Sequence, residues 1–396
     1  MLYDRIIETI SKNKEAKANG EYLGIPYPFP RLNNYLSCID RGQAIGLLGP
    51  TGSGKSRFVR NTFLYNTFKF HMETGYKLKI MFFCMEDSKE MTYNFVLCNY
   101  LYEKHGIKIS VQELTSKTKE LDDYILDALV EAKEYFKSFE DVVVFIDGED
   151  DPDKIYDICK RTAQQLGTEI DYVEEFDGVE VNQTRYESDT HVIAIFDNMS
   201  NFASQESSGN EQVAILKFVK DYMRLRLCNY YKWTCVLVLQ MDFESERQSF
   251  TRNGETIASK LEPSLASIGD SKRSSRSLHL IFSLFAPHRH ELPQYPLPSK
   301  FNPEYFYDIT ILGNSFRSLR VIKSNYTETG MRVPLLFDGI SETFTELPQP
   351  KTPELQKIYD DMRNERLGKM YQTKPNFIKI NTDAKRNKSS ELFDDE

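Results

Sequence analysis

The sequence has no run of about 18 apolar residues, so no segment reads as a membrane-spanning helix. Its first twenty residues mix charges with apolar positions and lack the uninterrupted apolar core of a secretion signal. The six cysteines (Cys38, Cys84, Cys98, Cys159, Cys228, Cys235) form no CxxC pair. That argues against a disulfide framework or a zinc site and predicts buried free thiols in a reducing compartment. The six histidines show no metal-ligand spacing, and the closest pair, His288 and His290, reads as loop residues. A basic excess is also missing: the net charge is −9, which argues against a surface that coats nucleic acid. The acidity is local. Asp147–Asp189 holds fourteen acids against four Lys or Arg, a balance of −10, and the rest of the chain is close to neutral. That near-neutral remainder leaves room for a local basic channel. Together these features predict a protein of the cytoplasm, without a membrane partner; for a phage protein, the host's cytoplasm.

The chain is 396 residues long and 40% hydrophobic, enough for a large core. That length suits two or three domains, or one large α/β domain with tails. Residues 1–20 read as a short amphipathic helix with Leu2, Ile6, Ile7 and Ile10 at helical spacing. Short continuous apolar runs then alternate with helical patterns. Gln43–Leu48, Lys79–Met85, Val142–Ile146, His191–Phe196 and Cys235–Leu239 read as buried strands. Leu278–Phe285 and Tyr307–Leu312 are further apolar runs, and Leu319–Lys323 and Pro334–Asp338 are short strand candidates. Helices are expected over Lys55–Phe68, Lys89–Lys104, Thr118–Phe136, Asp153–Leu166 and Asn210–Tyr231. This alternation implies a mostly parallel sheet with helices on both faces. Two stretches look inserted: 168–189, acidic and without clear periodicity, and 291–304, with four prolines. From Pro348 onward the chain turns polar, with a helix expected over Glu354–Leu367 and a disordered end. The predicted division is a 1–23 helix and linker, a 24–347 domain and a 348–396 tail.

Gly49-Pro50-Thr51-Gly52-Ser53-Gly54-Lys55-Ser56 matches GxxxxGK[ST] at every position. Glycines at this spacing let a loop curl so that successive N–H groups face a phosphate, and the following helix aims its positive end at the same point. The flanks fit, with an apolar strand before and an amphipathic helix after. Lys55 is expected to reach the β- and γ-phosphates of ATP and the Ser56 hydroxyl to ligate Mg²⁺. A second metal-side carboxylate should end another buried strand. Asp147, after VVVFI, and Asp197, after HVIAIF, both qualify, and the pattern alone does not choose between them.

The ordered set of motifs resembles the ATPase domain of DnaB-type replicative helicases, members of the RecA-like class, over about Gly24 to Leu347. IPYPFPRLNNYLSCIDRGQAIGLLGPTGSGKS is similar to that family's opening segment. FFCMEDSKEM resembles its strand-end SLEMS motif, which implies that Glu86 polarises the attacking water. VVVFIDGEDDPDKIYDICKRTAQQL resembles the family's strand, D-x-P turn and helix, which makes Asp147 structural. VIAIFDNMSNF matches the Walker B strand and makes Asp197 the Mg²⁺-side carboxylate. VLVLQMDFESER implies Gln240 as the γ-phosphate sensor. SLASIGDSKRSSRSLHLIFSLF is similar to the family's next motif, and SLRVIKSNYTETGMRVPLLFDG to its closing hairpin. That hairpin normally carries a Lys and, two residues later, an Arg that reaches the neighbouring subunit's ATP. Here Lys323 is present, assigned by the resemblance to the nucleotide, but the next position is Asn325; Arg317 or Arg320 is the nearest substitute. The family's helical N-terminal domain has no counterpart ahead of Gly24.

The resemblance implies an ATP-dependent, helicase-like motor in replication: a homo-oligomer, a hexameric ring, hydrolysing ATP at subunit interfaces and moving on single-stranded DNA with other replication proteins. Its channel-lining loops would fall between Gln240 and Leu278, where Arg247, Arg252, Lys260, Lys272, Arg273 and Arg276 suit phosphate contacts. A solvated loop of mixed charge is the plainer alternative. Two other functions compete. A slow ATP-binding switch of the same fold is favoured by Asn325, and a small-molecule kinase shares the phosphate loop.

Overall fold

A computed structural model describes residues 2–117, 120–176, 179–198, 211–241, 251–252, 255–256, 261–269, 273–296 and 305–372. The chain divides into two units, Met1–Pro350 and Lys351–Glu396. In chain order the strands are β1 (Ala44–Gly49), β2 (Leu78–Cys84), β3 (Val143–Asp147), β4 (Thr168–Phe176), β5 (Val179–Glu187), β6 (His191–Asp197), β7 (Thr234–Gln240), β8 (Thr251–Arg252), β9 (Glu255–Thr256), β10 (Leu280–Phe285), β11 (Gln294–Tyr295), β12 (Tyr307–Asp308), β13 (Phe316–Ser324), β14 (Arg332–Asp338) and β15 (Thr343–Glu346).

Nine strands form one sheet in the order β15-β14-β13-β10-β1-β7-β6-β2-β3. The six from β10 to β3 run parallel, and β13, β14 and β15 add antiparallel pairings. The apolar runs are continuous because both faces are covered. Alternate residues of each strand point to opposite faces. Ile45, Leu47, Ile80, Phe82, Ile193, Ile195, Val236 and Val238 join one core, with Phe58, Phe63 and Phe68 of the helix after β1. Ala44, Leu48, Met81, Phe83, Ala194, Phe196, Cys235 and Leu237 join the other, with Ile155, Phe218 and Met223. The sheet is therefore mixed and mostly parallel, as the alternation of strands and helices predicts. All six cysteines are free, and only Cys38 is not fully buried.

The acidic stretch differs from expectation. It is an antiparallel hairpin, β4 with β5, in register from Thr168↔Glu187 to Phe176↔Val179. Its base is pinned by Tyr186, whose hydroxyl donates to the Ala163 carbonyl at 2.8 Å, and by Arg41, which donates to the carbonyls of Ser188, Asp189 and Thr190. The helix Leu2–Ala18 forms, but Ile6, Ile7 and Ile10 stay exposed, and Arg5 pairs with Glu174 of the hairpin. The proline-rich stretch contributes Gln294–Tyr295, paired with Tyr307–Asp308; residues 297–304 lie outside the described residues. The expected helix over Thr118–Phe136 is two shorter ones, Asp123–Glu131 and Lys133–Val142. In the second unit the helix runs Pro353–Gln372, longer than expected, and the tail beyond it, including ELFDDE, lies outside the described residues.

Candidate nucleotide site

Strand β1 ends at Gly49 and the chain turns through Gly54 into a helix starting at Lys55. Gly52 (φ 73°) and Gly54 (φ 97°) take left-handed conformations that side chains disfavour, which explains glycine at both. Gly54 caps the helix with no side-chain bond, so the first-turn N–H groups have no side-chain cap. The helix continues through π-type turns at Arg60–Tyr65 to Asn66–Thr74. The loop is tight: a Cβ on Gly49 would lie 2.6 Å from the Leu284 carbonyl and 2.7 Å from Ser53 Oγ. Lys55 Nζ donates to the carbonyls of Gly49 (2.7 Å) and Pro50 (3.2 Å), curling back into the loop. Arg289, on the turn after β10 with His288 and His290, donates to the Thr51 carbonyl.

Strand order brings the other site residues to the same edge. β7 lies beside β1 and pairs Gln240 with Gly49. β6 comes next, then β2, which pairs Cys84 with Asp197. All four strands present their carboxyl ends here, where open α/β sheets bind ligands. Ser56 Oγ donates to Asp197 Oδ1 at 2.9 Å, and Met85 N donates to the Asp197 carbonyl at 3.0 Å. Asn198 Nδ2 donates to Glu86 Oε2 at 3.4 Å, so the two strand-end acids share one neighbourhood. Burial pushes the Asp197 carboxyl up to about 6; Arg60 and the Ser56 bond pull it down, and Glu86 and Asp87 push it up. A desolvated carboxylate beside a hydroxyl is a set of hard oxygen donors of the kind Mg²⁺ takes, and a cation there would replace the proton that burial favours. Asp147 sits elsewhere. It ends β3 at the sheet's far edge, and its carboxylate accepts from Lys89 N at 3.4 Å.

Behind the site lies a charged cluster that the sequence did not disclose. Arg60 is 5% exposed and donates to Asp87 Oδ2 at 2.7 Å. It lies 3.5 Å from Glu342 Oε2 and 4.0 Å above the centre of the Phe95 ring. Arg57 Nε meets Glu342 Oε1 at 2.8 Å. The cluster ties the helix after the phosphate loop to the residue following Glu86 and to the β14–β15 turn. Its only sequence signal is two arginines three apart on a helix.

The hairpin residues are engaged within the chain. Lys323 Nζ donates to the carbonyls of Ser275, Arg276 and Leu278 at 2.9, 2.9 and 2.5 Å. Asn325 N donates to the His279 carbonyl at 2.9 Å. Arg320 and Arg332, partners across β13 and β14, both bind Glu262. Arg317 is 1% exposed and donates to the Ser53 carbonyl of its own chain at 2.6 Å. Within the chain, burial and a bond to its own Ser53 hold Arg317, and a buried carboxylate holds Arg320.

Of the proposed nucleic-acid residues, Arg273 and Arg276 flank or lie on a short turn, Ser274–Ser277, and are exposed. Arg252 belongs to the two-residue strand β8, with its side chain outside the described residues. Arg247, Lys260 and Lys272 lie outside them altogether.

No family model and no curated protein matches the sequence. Solved structures do. One, an ATPase domain solved on its own, superposes with a TM-score of 0.60 at 13% identity, covering 87% of this chain and 98% of that one. A DnaB-like replicative helicase, solved for its interactions with primase, superposes at 0.61 with 12% identity, covering 86% of this chain and 68% of that one. The fold is that of a RecA-like P-loop ATPase. At 12–13% identity the likeness to these structures is one of fold. Among the described residues no helix is long and apolar enough to cross a membrane.

Proposed function

We propose that the chain is an ATP- and Mg²⁺-dependent ATPase, a DnaB-type motor that assembles as a ring and moves on single-stranded DNA. One observation carries the reading. The phosphate loop, the Ser56–Asp197 bond, Glu86 and Gln240 lie together at the carboxyl ends of four adjacent strands. In the proposed site Lys55 and the loop N–H groups hold the triphosphate. Ser56 and Asp197 would hold Mg²⁺, which would neutralise charge on the phosphates. Glu86 orients and deprotonates a water, and Gln240 senses the terminal phosphate. The likeness in fold to a solved ATPase domain and to a DnaB-like replicative helicase supports the reading.

A second reading rests on the hairpin. Lys323 is clamped on three carbonyls and Asn325 stands where an arginine would reach a neighbour. A slow switch that uses ATP to set assembly fits those contacts, since a finger in trans is worth about 10³–10⁵ in rate. One experiment separates the two: ATPase rate with and without single-stranded DNA, alongside mass with a non-hydrolysable ATP analogue. The motor predicts a DNA-stimulated rate and a ring. A rate that DNA leaves unchanged, with no assembly, would overturn it. Nucleotide-driven assembly with turnover far below one per second would favour the switch.

A further inference from the structure

Arg317 is among the largest side chains fully buried in the protein. Its guanidinium donates to the carbonyls of Ser53, Asn314 and Phe316 at 2.6, 2.6 and 2.8 Å, and to Asn314 Oδ1 at 3.3 Å. None of these acceptors carries a charge. One face of the group lies 4.9 Å from the centre of the Phe337 ring. Its charged neighbours are cations: burial first, then Arg289 and Arg57, bring its pKa down to about 10. A buried charge without a counter-charge is costly unless something compensates it. Among the described residues no acceptor of the guanidinium carries a compensating charge, and the group lies directly behind the phosphate loop. A Cβ on Gly54 would be 4.0 Å from Arg317 Nε.

The bond to Ser53 also has a directional consequence. A trans peptide is planar, with its C=O and N–H on opposite sides. Holding the Ser53 carbonyl toward the guanidinium turns the Gly54 N–H away from it, to the opposite side of the peptide. We propose that Arg317 is a positioning residue for the triphosphate: it aims the Gly54 N–H and supplies, from behind the loop, a buried positive charge that a bound polyphosphate completes. This inference rests on the ATP-binding reading above. It gives Arg317 a role in its own subunit rather than in a neighbour's site.

The role predicts a dependence on phosphate number that a purely structural arginine would not show. The test is calorimetric titration of Mg²⁺ with ATP, ADP and AMP into the full chain and into Arg317→Lys and Arg317→Gln, with thermal melting of each. Both variants keep a polar head in a polar slot, and only lysine keeps the charge. In Arg317→Gln, ATP affinity should fall at least about tenfold, ADP affinity less, and AMP affinity not at all, a size in keeping with one charge-assisted contact. Arg317→Lys keeps the charge but not the planar fork, so it should lose less ATP affinity than Arg317→Gln. Equal affinities in the two variants, or an equal loss for ATP and AMP, would overturn the inference. Failure of the unaltered chain to bind ATP would instead overturn the ATP reading and the inference with it.

Discussion

Lys55→Ala is expected to lower ATP turnover by about a hundred- to a thousandfold while leaving the fold intact. The ammonium bends back onto the carbonyls of Gly49 and Pro50, inside the loop that the phosphates would enter. Its removal takes away a charge that would move from those neutral carbonyls to the phosphates, where it is worth far more. Thermal midpoints without nucleotide should therefore match those of the unaltered chain, and the rise produced by an ATP analogue should disappear. Glu86→Gln provides the contrast. Glu86 is bonded to Asn198 and lies beside Asp197, not under the loop. Its loss should leave nucleotide binding near normal and remove hydrolysis. If both variants lose binding alike, Glu86 is not the water-orienting group. If Lys55→Ala hydrolyses ATP normally, the phosphate loop is not the site.

The parts of this site that a linear pattern discloses are those in which local chemistry and position coincide. Gly49–Ser56 is contiguous, and Glu86, Asp197 and Gln240 each follow an apolar strand. What the pattern cannot decide is strand order, because that is set by pairing between distant segments. Asp147 and Asp197 look alike in sequence. Only the order β1-β7-β6-β2-β3 brings one within 2.9 Å of Ser56 and leaves the other at the edge. The acidic hairpin is illegible for a different reason. Neither face of β4 or β5 is buried along its length, so no alternation marks it, and the pairing is held by backbone bonds and by Arg41 and Tyr186 at its base. Arg317 and Arg320 mislead because arginine is ordinarily a surface residue. In FRSLRVIKS they sit three apart, so the strand sends them to opposite faces of the sheet. The structure fills both faces: Arg317 binds the Ser53 carbonyl on one and Arg320 binds Glu262 on the other.

Arg60 carries the largest expected effect on stability. Arg60→Met leaves Glu342, 3% exposed, with Arg57 as its remaining partner, and strips Asp87 of its 2.7 Å bond. Breaking a buried pair by removing one partner costs about 3–5 kcal/mol. Arg57 remains and Asp87 is partly solvated, so about 3 kcal/mol is expected, read as a lower urea midpoint at unchanged slope. The loss should depend on pH with a definite sign. Burial raises the Glu342 carboxyl above its usual 4.5, while Arg60 and Arg57 pull it down. A raised acid holds its extra proton in the folded state, so its contribution to stability falls as pH rises from 4.5 through the folded value. Removing Arg60 removes a lowering influence and extends that window upward. The penalty should then be smallest near about pH 5 and grow toward about pH 8. Adding Glu342→Gln should recover part of it at the higher pH, because the uncompensated charge is then gone. A penalty that is the same at both ends, or a double variant no more stable than the single one, would show that Arg60 acts through packing on Phe95 instead. Turnover supplies an independent readout. Asp87 adjoins Glu86, so Arg60→Met should slow hydrolysis more than it weakens nucleotide binding.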